Sequence, residues 1–194
     1  MSMKRFGVLT ALALAAALIP GAAAQADTGA PLSASGKAFV AESRAAGLTA
    51  EQANGLQAKV DEYLSTLGEG ATQVGPDKIT SDGSDLFVTV PGEDRPRGLS
   101  SPEDAKLLAV PCPYYYFCAF SGEQFTGDAR LEDDCGTWIS IPFWGYGSWI
   151  NNQTPGTQPT AYFNNGTAPW RMPGAYAEAR AGVLWDPVVN IDPC

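Results

Sequence analysis

The four cysteines are the residues best suited to chemistry, because a thiolate can attack an electrophile, bind a metal or form a disulfide. They stand at Cys112, Cys118, Cys135 and Cys194, and the 194-residue chain contains no histidine. A catalytic cysteine or a zinc site usually draws on an imidazole as its base or second ligand. A four-sulfur zinc site normally needs two close cysteine pairs, and only one pair is close here. The pattern therefore favours disulfides and a binding function over catalysis.

Four cysteines allow three disulfide connectivities. Proximity in the sequence favours Cys112 with Cys118, which leaves Cys135 for Cys194. In the chain-entropy model the long loop would stabilise the fold by about 4 kcal/mol and the short loop by ~2.4 kcal/mol. We expect an ordered element just before Cys194, since the second bridge would tie this residue to the middle of its domain.

The first 26 residues have the features of a secretory signal peptide. Lys4 and Arg5 provide a positive start, residues 8–19 form an apolar run, and residues 24–26 resemble a cleavage site. The run is short for a transmembrane helix, which needs about 20 residues, although an uncleaved membrane anchor is the alternative. We therefore expect a secreted protein in a compartment where disulfides form.

Acidic residues dominate the charge of the expected mature chain. Removal of residues 1–26 would leave 12 − 2 = 10 basic residues against 21 acidic ones, a net charge of −11. Nucleic acids and anionic membranes bind proteins through Lys and Arg, so we expect neither as a partner. Solubility is the simplest role of such a surface, and attraction of a basic partner is the alternative.

Composition divides the remaining chain into two parts. Sixteen of the twenty aromatic residues, including all five tryptophans, follow Val110, as do all four cysteines. We predict a small α+β segment at residues 27–90, an exposed linker at 91–109 and an all-β domain at 110–194. The first segment is either a permanent accessory domain or a pro-segment that is removed.

Helical signals are strongest in the first part. Thr49 and Gln52 match a capping box, and apolar residues then recur at helical spacing until Gly68. The pattern predicts a helix that ends at this glycine. The other elements predicted here are a weaker helix at 35–46 and two hairpin strands at 78–80 and 86–90 around a turn at 81–84.

Short aromatic and β-branched runs indicate strands in the second part, at residues 115–120, 137–141, 161–163 and 182–185. Phe120, Phe125 and Gly127 follow the order aromatic, four residues, aromatic, one residue, glycine. The two aromatic rings can pack over a folded hairpin, and glycine permits a backbone conformation that a side chain would forbid. This pattern resembles the βγ-crystallin Greek-key signature, and the resemblance implies a Greek-key sandwich of two sheets.

A more specific resemblance extends over residues 110–194. Cys112 and Cys118 around residues 113–117, then the Greek-key signature, then residues 135–138 resemble the secreted actinobacterial peptidase-inhibitor family of the Streptomyces metalloproteinase inhibitor type. The resemblance implies that a rigid loop blocks an extracellular peptidase. A second close cysteine pair holds the reactive loop in that family, and this chain lacks the pair, so no reactive-site residue is transferred.

Four aromatic residues form the candidate binding surface, namely Phe143, Trp144, Tyr146 and Trp149. They are interleaved with glycine and serine, a composition that suits a recognition loop, although strand packing would explain some of them. A carbohydrate or cell-wall binding module is the alternative function, because sugar rings stack on exposed aromatic faces.

Asn151 and Asn152 are weak candidates for calcium ligands. They match the first two positions of the calcium-binding loop of βγ domains, but Pro155 and Gly156 replace its two hydroxyl residues. Calcium needs about six oxygen ligands, so an ordinary turn is the simpler interpretation and no cofactor is expected. An extracellular structural protein stabilised by calcium is the third functional alternative.

Overall fold

The computed structural model describes residues 33–194, and two helices come first. They are α1 (Ala34–Ala45) and α2 (Ala50–Leu67). The predicted capping box is present, since the Thr49 hydroxyl accepts from the Gln52 N–H while the Gln52 amide oxygen accepts from the Thr49 N–H. Gly68 ends α2 with a φ of 74°, as predicted.

Eleven strands follow among the described residues: β1 (Thr72–Gly75), β2 (Lys78–Ser81), β3 (Ser84–Phe87), β4 (Phe117–Phe120), β5 (Ala129–Glu132), β6 (Ile139–Ser140), β7 (Tyr146–Asn151), β8 (Thr160–Phe163), β9 (Trp170–Arg171), β10 (Glu178–Leu184) and β11 (Val188–Asp192). A third helix, α3 (Pro102–Leu107), and a short 3-10 turn (Glu123–Phe125) lie between strands. The mostly β character predicted for the second part is confirmed.

All strand pairs of the two sheets are antiparallel. One sheet has seven strands in the order β1-β2-β3-β5-β4-β7-β10, and the other has four in the order β6-β11-β8-β9. Strands β4 to β7 and β8 to β11 form two groups of four in the sequence. Each group places its third strand in the sheet of the other group, since β6 pairs with β11 and β10 pairs with β7. This exchange interlocks the two sheets.

The predicted hairpin of the first part is present as β2 and β3, although β3 spans Ser84–Phe87 and not the predicted 86–90. Asp82 and Gly83 connect them with φ values of 53° and 76°, the left-handed conformation that a two-residue hairpin turn requires. Strand β4 is shorter than the predicted strand at 115–120, because residues 113–116 form a loop. The predicted signal peptide at residues 1–26 lies outside the described residues.

Both disulfides favoured by the sequence are present. Cys112 bonds to Cys118 with a Cα–Cα distance of 5.8 Å, and Cys135 bonds to Cys194 with a Cα–Cα distance of 5.3 Å. Strand β11 is the ordered element expected before Cys194. Among residues 33–194, no helix combines the length and the apolarity that crossing a membrane requires.

The first and second parts of the chain share one sheet. Strand β3 pairs with β5 through residues 85–87 and 129–131. Helix α2 also reaches the second part, because Lys59 and Tyr63 bond to the buried carboxylate of Asp128 at 2.8 and 2.6 Å. The described residues accordingly form one compact unit.

Residues 91–109 are packed against this unit, unlike the exposed linker that their composition predicts. The Leu99 N–H and the Ser100 hydroxyl donate to the buried carboxylate of Asp77 at 2.9 and 3.0 Å. Lys78 forms an ion pair with Asp104 of α3 at 2.9 Å. Composition predicts an exposed linker here, and it reveals neither α3 nor the buried carboxylates that hold the segment.

Candidate functional site

The predicted aromatic surface divides into core and exposed residues. Phe143 and Trp149 are 3% and 2% exposed, whereas Trp144 and Tyr146 are 70% and 62% exposed. The ring of Phe143 packs edge-on against Trp185 at 6.2 Å between centroids. Phe143 and Trp149 are therefore core residues, which corrects their assignment to a binding surface. The alternation of side chains along β7 places Tyr146 on the opposite side from Trp149.

Trp144 is presented by a well-anchored loop between β6 and β7. The Gly145 N–H donates to a carboxylate oxygen of Asp186 at 2.7 Å, and the Gly145 carbonyl accepts from the backbone N–H of Trp185 at 2.9 Å. Gly145 itself has a φ of 72°, which glycine adopts without steric penalty. The exposed indole is consequently carried on a backbone that is fixed at the residue directly after it.

Two neighbouring clefts of 310 and 180 Å³ share the side chain of Trp144 and the Thr66 end of α2, and we call them together the Trp144 cleft. Lys59, Glu62 and Tyr63 of α2 line the larger cleft. An indole face beside hydroxyl, amine and carboxylate groups suits a ligand that is both flat and polar. Sequence patterns did not indicate that α2 side chains lie here, because they stand about 80 residues before Trp144.

A second aromatic site was not predicted from the sequence. Tyr114, Tyr115 and Tyr176 are 46%, 57% and 59% exposed, and we call them the tyrosine cluster because Tyr114 contacts both of the others. The rings of Tyr114 and Tyr115 are 4.1 Å apart, and the rings of Tyr114 and Tyr176 are nearly parallel at 6.4 Å. The hydroxyls of Tyr114 and Tyr176 lie 3.4 Å apart.

Two members of the cluster have unfavourable backbone conformations. Tyr115 and Tyr176 have φ values of 80° and 70°, in the left-handed region that costs an L-residue about 1–2 kcal/mol. Backbone hydrogen bonds from the end of β7 hold both residues. The Tyr115 N–H donates to the Asn152 carbonyl at 2.9 Å, and the Tyr176 N–H donates to the Asn151 carbonyl at 2.7 Å.

The side chains of Asn151 and Asn152 support the same loops. The buried Asn151 amide donates to the carbonyls of Thr157 and Pro173 at 3.3 and 3.2 Å. The Asn152 amide donates to the Cys112 carbonyl at 3.1 Å. Both candidate calcium ligands therefore use their amides to hold turns. Among residues 33–194, no three acidic or sulfur-bearing side chains come together as a metal site.

The short disulfide closes the loop that carries Tyr114 and Tyr115. A hydrogen bond with Tyr176 raises the pKa of Tyr114 above its ordinary value, with desolvation adding to the effect. Burial is the main cause that raises the pKa of the neighbouring Tyr116, and the negative charge of Asp133 contributes. The Tyr114 phenol therefore remains neutral at physiological pH and offers an apolar ring face together with a hydroxyl group that donates and accepts hydrogen bonds.

The predicted folded hairpin lies between β4 and β5. The rings of Phe120 and Phe125 are 5.6 Å apart, and Gly127 has a φ of 79° where a Cβ atom would collide with the Ser121 hydroxyl. The hydroxyl of Ser148 on β7 accepts from the Phe125 N–H at 2.9 Å and donates to the Gly122 carbonyl at 2.6 Å. This hydroxyl ties the hairpin to the strand that connects the two aromatic sites.

The two aromatic sites lie at opposite ends of one strand. The tyrosine cluster lies at the Asn151 end of β7, and the Trp144 cleft lies at its Tyr146 end. Comparisons of the chain with protein-family models, with curated proteins and with solved structures find no match.

Proposed function

We propose that the chain is a secreted binding protein whose second part is a βγ-crystallin-like sandwich, and that it binds an extracellular protein through the tyrosine cluster. A peptidase is the first candidate target. The exchange of β6 and β10 between the two sheets supports the Greek-key assignment. The packing of Phe120 on Phe125 and the conformation of Gly127 support it independently.

The observation that carries the binding proposal is the backbone conformation of Tyr115 and Tyr176. A folded protein retains residues in such conformations only where the surrounding structure over-determines them, and these residues concentrate at functional sites. Tyrosine also provides a large contact area for little loss of side-chain entropy. Because the Cys112–Cys118 bridge closes the loop, the cluster is ordered before a partner arrives, which lowers the entropic cost of binding.

Inhibition of peptidases by the full chain lacking residues 1–26 tests the first candidate target. A thermolysin-like metallopeptidase and a subtilisin-like serine peptidase are titrated with the protein, and residual activity is measured. Tyr115→Gly removes the ring while permitting the positive φ. We expect it to weaken inhibition by roughly thirtyfold, the effect of losing an interface residue worth about 2 kcal/mol.

Tyr146→Ala is the matched control, because Tyr146 is similarly exposed but lies outside the cluster. It should inhibit like the unsubstituted protein. Absence of inhibition at high micromolar protein would contradict a peptidase target of these two classes. Equal inhibition by the protein and Tyr115→Gly would contradict the role of the cluster.

Mass spectrometry of protein collected from culture medium tests secretion. A mass that lacks residues 1–26 and four thiol hydrogens is expected. The same mass reports whether residues 27–109 are removed. We expect them to be retained, because three strands of the seven-stranded sheet belong to this segment.

Glycan binding is the second candidate function, and the Trp144 cleft is the observation that favours it. Its exposed indole face could stack on a sugar ring, and the polar groups of α2 could form hydrogen bonds with the sugar hydroxyls. Titration with soluble chitin, glucan and peptidoglycan fragments tests this function. Trp144→Ala should abolish binding, whereas Trp138→Ala, which removes an exposed tryptophan outside the cleft, should not. Binding that survives Trp144→Ala would contradict the assignment.

A further inference from the structure

An apolar cavity of 290 Å³ lies between the two sheets; it shares Val188 with the smaller part of the Trp144 cleft and no residue with the tyrosine cluster. Its floor includes Trp149, Met172 and Trp185, which are 2%, 1% and 1% exposed. Trp170 of β9 and Leu184 of β10 also line it and are 44% and 45% exposed, which marks the side on which it opens. The cavity therefore extends from the surface into the hydrophobic core.

The two buried indoles of the floor differ in their hydrogen bonding. The indole N–H of Trp185 donates to the Phe120 carbonyl at 2.8 Å. The Trp149 N–H is buried as well and has no hydrogen-bond partner among the described residues. A buried donor without a partner is destabilising, because the group has lost its hydrogen bond to water and gained none in return. The nitrogen is closed to a water-sized sphere in the empty cavity, so a bound acceptor would reach it and remove this penalty only after a small turn of the indole toward the cavity.

We propose that the cavity binds a small neutral amphiphile, with an apolar body between the sheets and one oxygen that accepts from the Trp149 N–H. Among the described residues none that lines the cavity is charged, so it offers no counter-ion for a carboxylate or an amine. The net charge of −11 expected for the mature chain also opposes an anionic ligand. At ~30 Å³ for each water-sized group, the cavity accommodates roughly ten such groups.

The shape of β10 argues against an added peptide strand as the occupant. Its pairing with β7 shifts register between Ala179 and Val183, and Gly182 has a φ of 74° in this bulge. The Gly182 N–H already donates to the Glu123 carboxylate at 2.9 Å. A bulge of this kind disrupts the regular row of backbone groups that a new strand would need.

Titration of the full chain lacking residues 1–26 with 1-octanol tests the proposal. Binding is followed by the NMR resonance of the Trp149 indole N–H, which should move downfield in a saturable manner as a hydrogen bond forms. Octanoate at neutral pH serves as the charged probe of similar size and should bind at least about tenfold more weakly. Trp149→Phe should weaken octanol binding by roughly fivefold, measured by calorimetry.

Ala181→Trp is a second variant, which tests the cavity without changing the core, because Ala181 is an exposed residue of the cavity lining. The added ring should block the cavity and abolish octanol binding. Ala41→Trp places the same ring on the exposed face of α1 and should bind octanol normally.

The proposal is overturned if octanol gives no saturable shift, if octanoate binds equally well, or if Ala181→Trp binds like the unsubstituted protein. If Trp149→Phe fails to fold, the Ala181 arm decides. None of these outcomes depends on a peptidase or glycan target.

Discussion

The two ends of β7 present aromatic residues in different ways. At the Tyr146 end, Gly145 adopts the positive φ of 72°, and the neighbouring aromatic residues are free of this conformation. At the Asn151 end, Tyr115 and Tyr176 adopt positive φ themselves. Glycine would fit those two positions at lower conformational cost. The tyrosine rings are therefore retained at an energetic cost, which supports the proposed binding role of the cluster.

Phe143→Ala should produce the largest effect, because Phe143 is a buried core residue at the Tyr146 end, whereas its neighbour Trp144 is exposed. Loss of this buried ring should lower the free energy of unfolding by about 3–5 kcal/mol. Trp144→Ala, one residue further on, should change it by less than ~0.5 kcal/mol, since that ring is exposed. Urea unfolding measures both values. Similar effects for the two variants would show that Trp144 packs more tightly than its exposure indicates.

Removing each disulfide in turn should distinguish its effect on the stability of the fold from its effect on the order of the tyrosine-cluster loop. Cys135→Ser with Cys194→Ser should lower the free energy of unfolding by about 4 kcal/mol, and Cys112→Ser with Cys118→Ser by ~2.4 kcal/mol, according to loop length. Only the second pair should speed hydrogen exchange of the Tyr115 N–H relative to other native-state amides, because it opens the loop of the tyrosine cluster. Equal exchange in both variants would mean that the Asn152 carbonyl alone fixes the loop.

Exchanging side chains at the positive-φ positions tests the comparison directly. Gly145→Ala should lower the free energy of unfolding by about 1 kcal/mol, because it introduces a Cβ atom at positive φ. Tyr115→Gly should leave it unchanged or raise it by up to ~1 kcal/mol, since strain is relieved while the unfolded chain gains freedom. Thermal unfolding of the two variants measures the contrast. A marked loss of stability in Tyr115→Gly would assign the ring a structural role.

Tyr176→Phe should have the smallest effect, confined to the ionisation of its neighbour. The substitution removes the hydrogen bond that raises the pKa of Tyr114, so this pKa should fall toward 10.0. Because the raised pKa belongs to the folded state, the bond favours folding below the ordinary tyrosine pKa and loses its effect as pH rises further. Tyrosinate absorbance during alkaline titration measures the shift. Tyr146→Phe is the control and should leave the Tyr114 titration unaltered.

Local signals account for the elements that were predicted correctly. The capping box of Thr49 and Gln52 lies within a single helical turn, and the turn at Asp82 and Gly83 needs only two residues. The disulfide pairing followed from the close spacing of Cys112 and Cys118. Each of these signals is contained in a short window, where sequence patterns and structure correspond most directly.

Strand β5 shows why other elements were missed. It carries Arg130 and Glu132, both buried, and its four residues alternate apolar and charged, a pattern that predicts at most a short strand with one face in solvent. The Arg130 guanidinium donates to the hydroxyl and the carbonyl of Ser81 at 2.9 Å. Burial lowers the pKa of Arg130 to about 10 and raises the pKa of Glu132. Partners brought from 49 residues away make such a strand possible, and a local pattern does not contain them.

The tyrosine cluster was missed for a related reason. Tyr114 and Tyr176 are 62 residues apart, and their contact depends on the pairing of β7 with both β4 and β10. The residue type does not predict a positive φ at Tyr115, since tyrosine rarely adopts one. The Trp144 loop was found because its four aromatic residues lie within seven positions of the sequence, but the sequence did not separate exposed rings from buried ones.

The pairing of β3 with β5 also bears on how the chain avoids aggregation. Without β3, the edge of β5 would offer unpaired N–H and C=O groups on which the strand of another molecule could add. Synthesis proceeds from the amino end, so β1 to β3 are made before β5 emerges. The covering hairpin is thus available as soon as the strand that needs it exists, and the sandwich need never pass through a stage with that edge open to other copies.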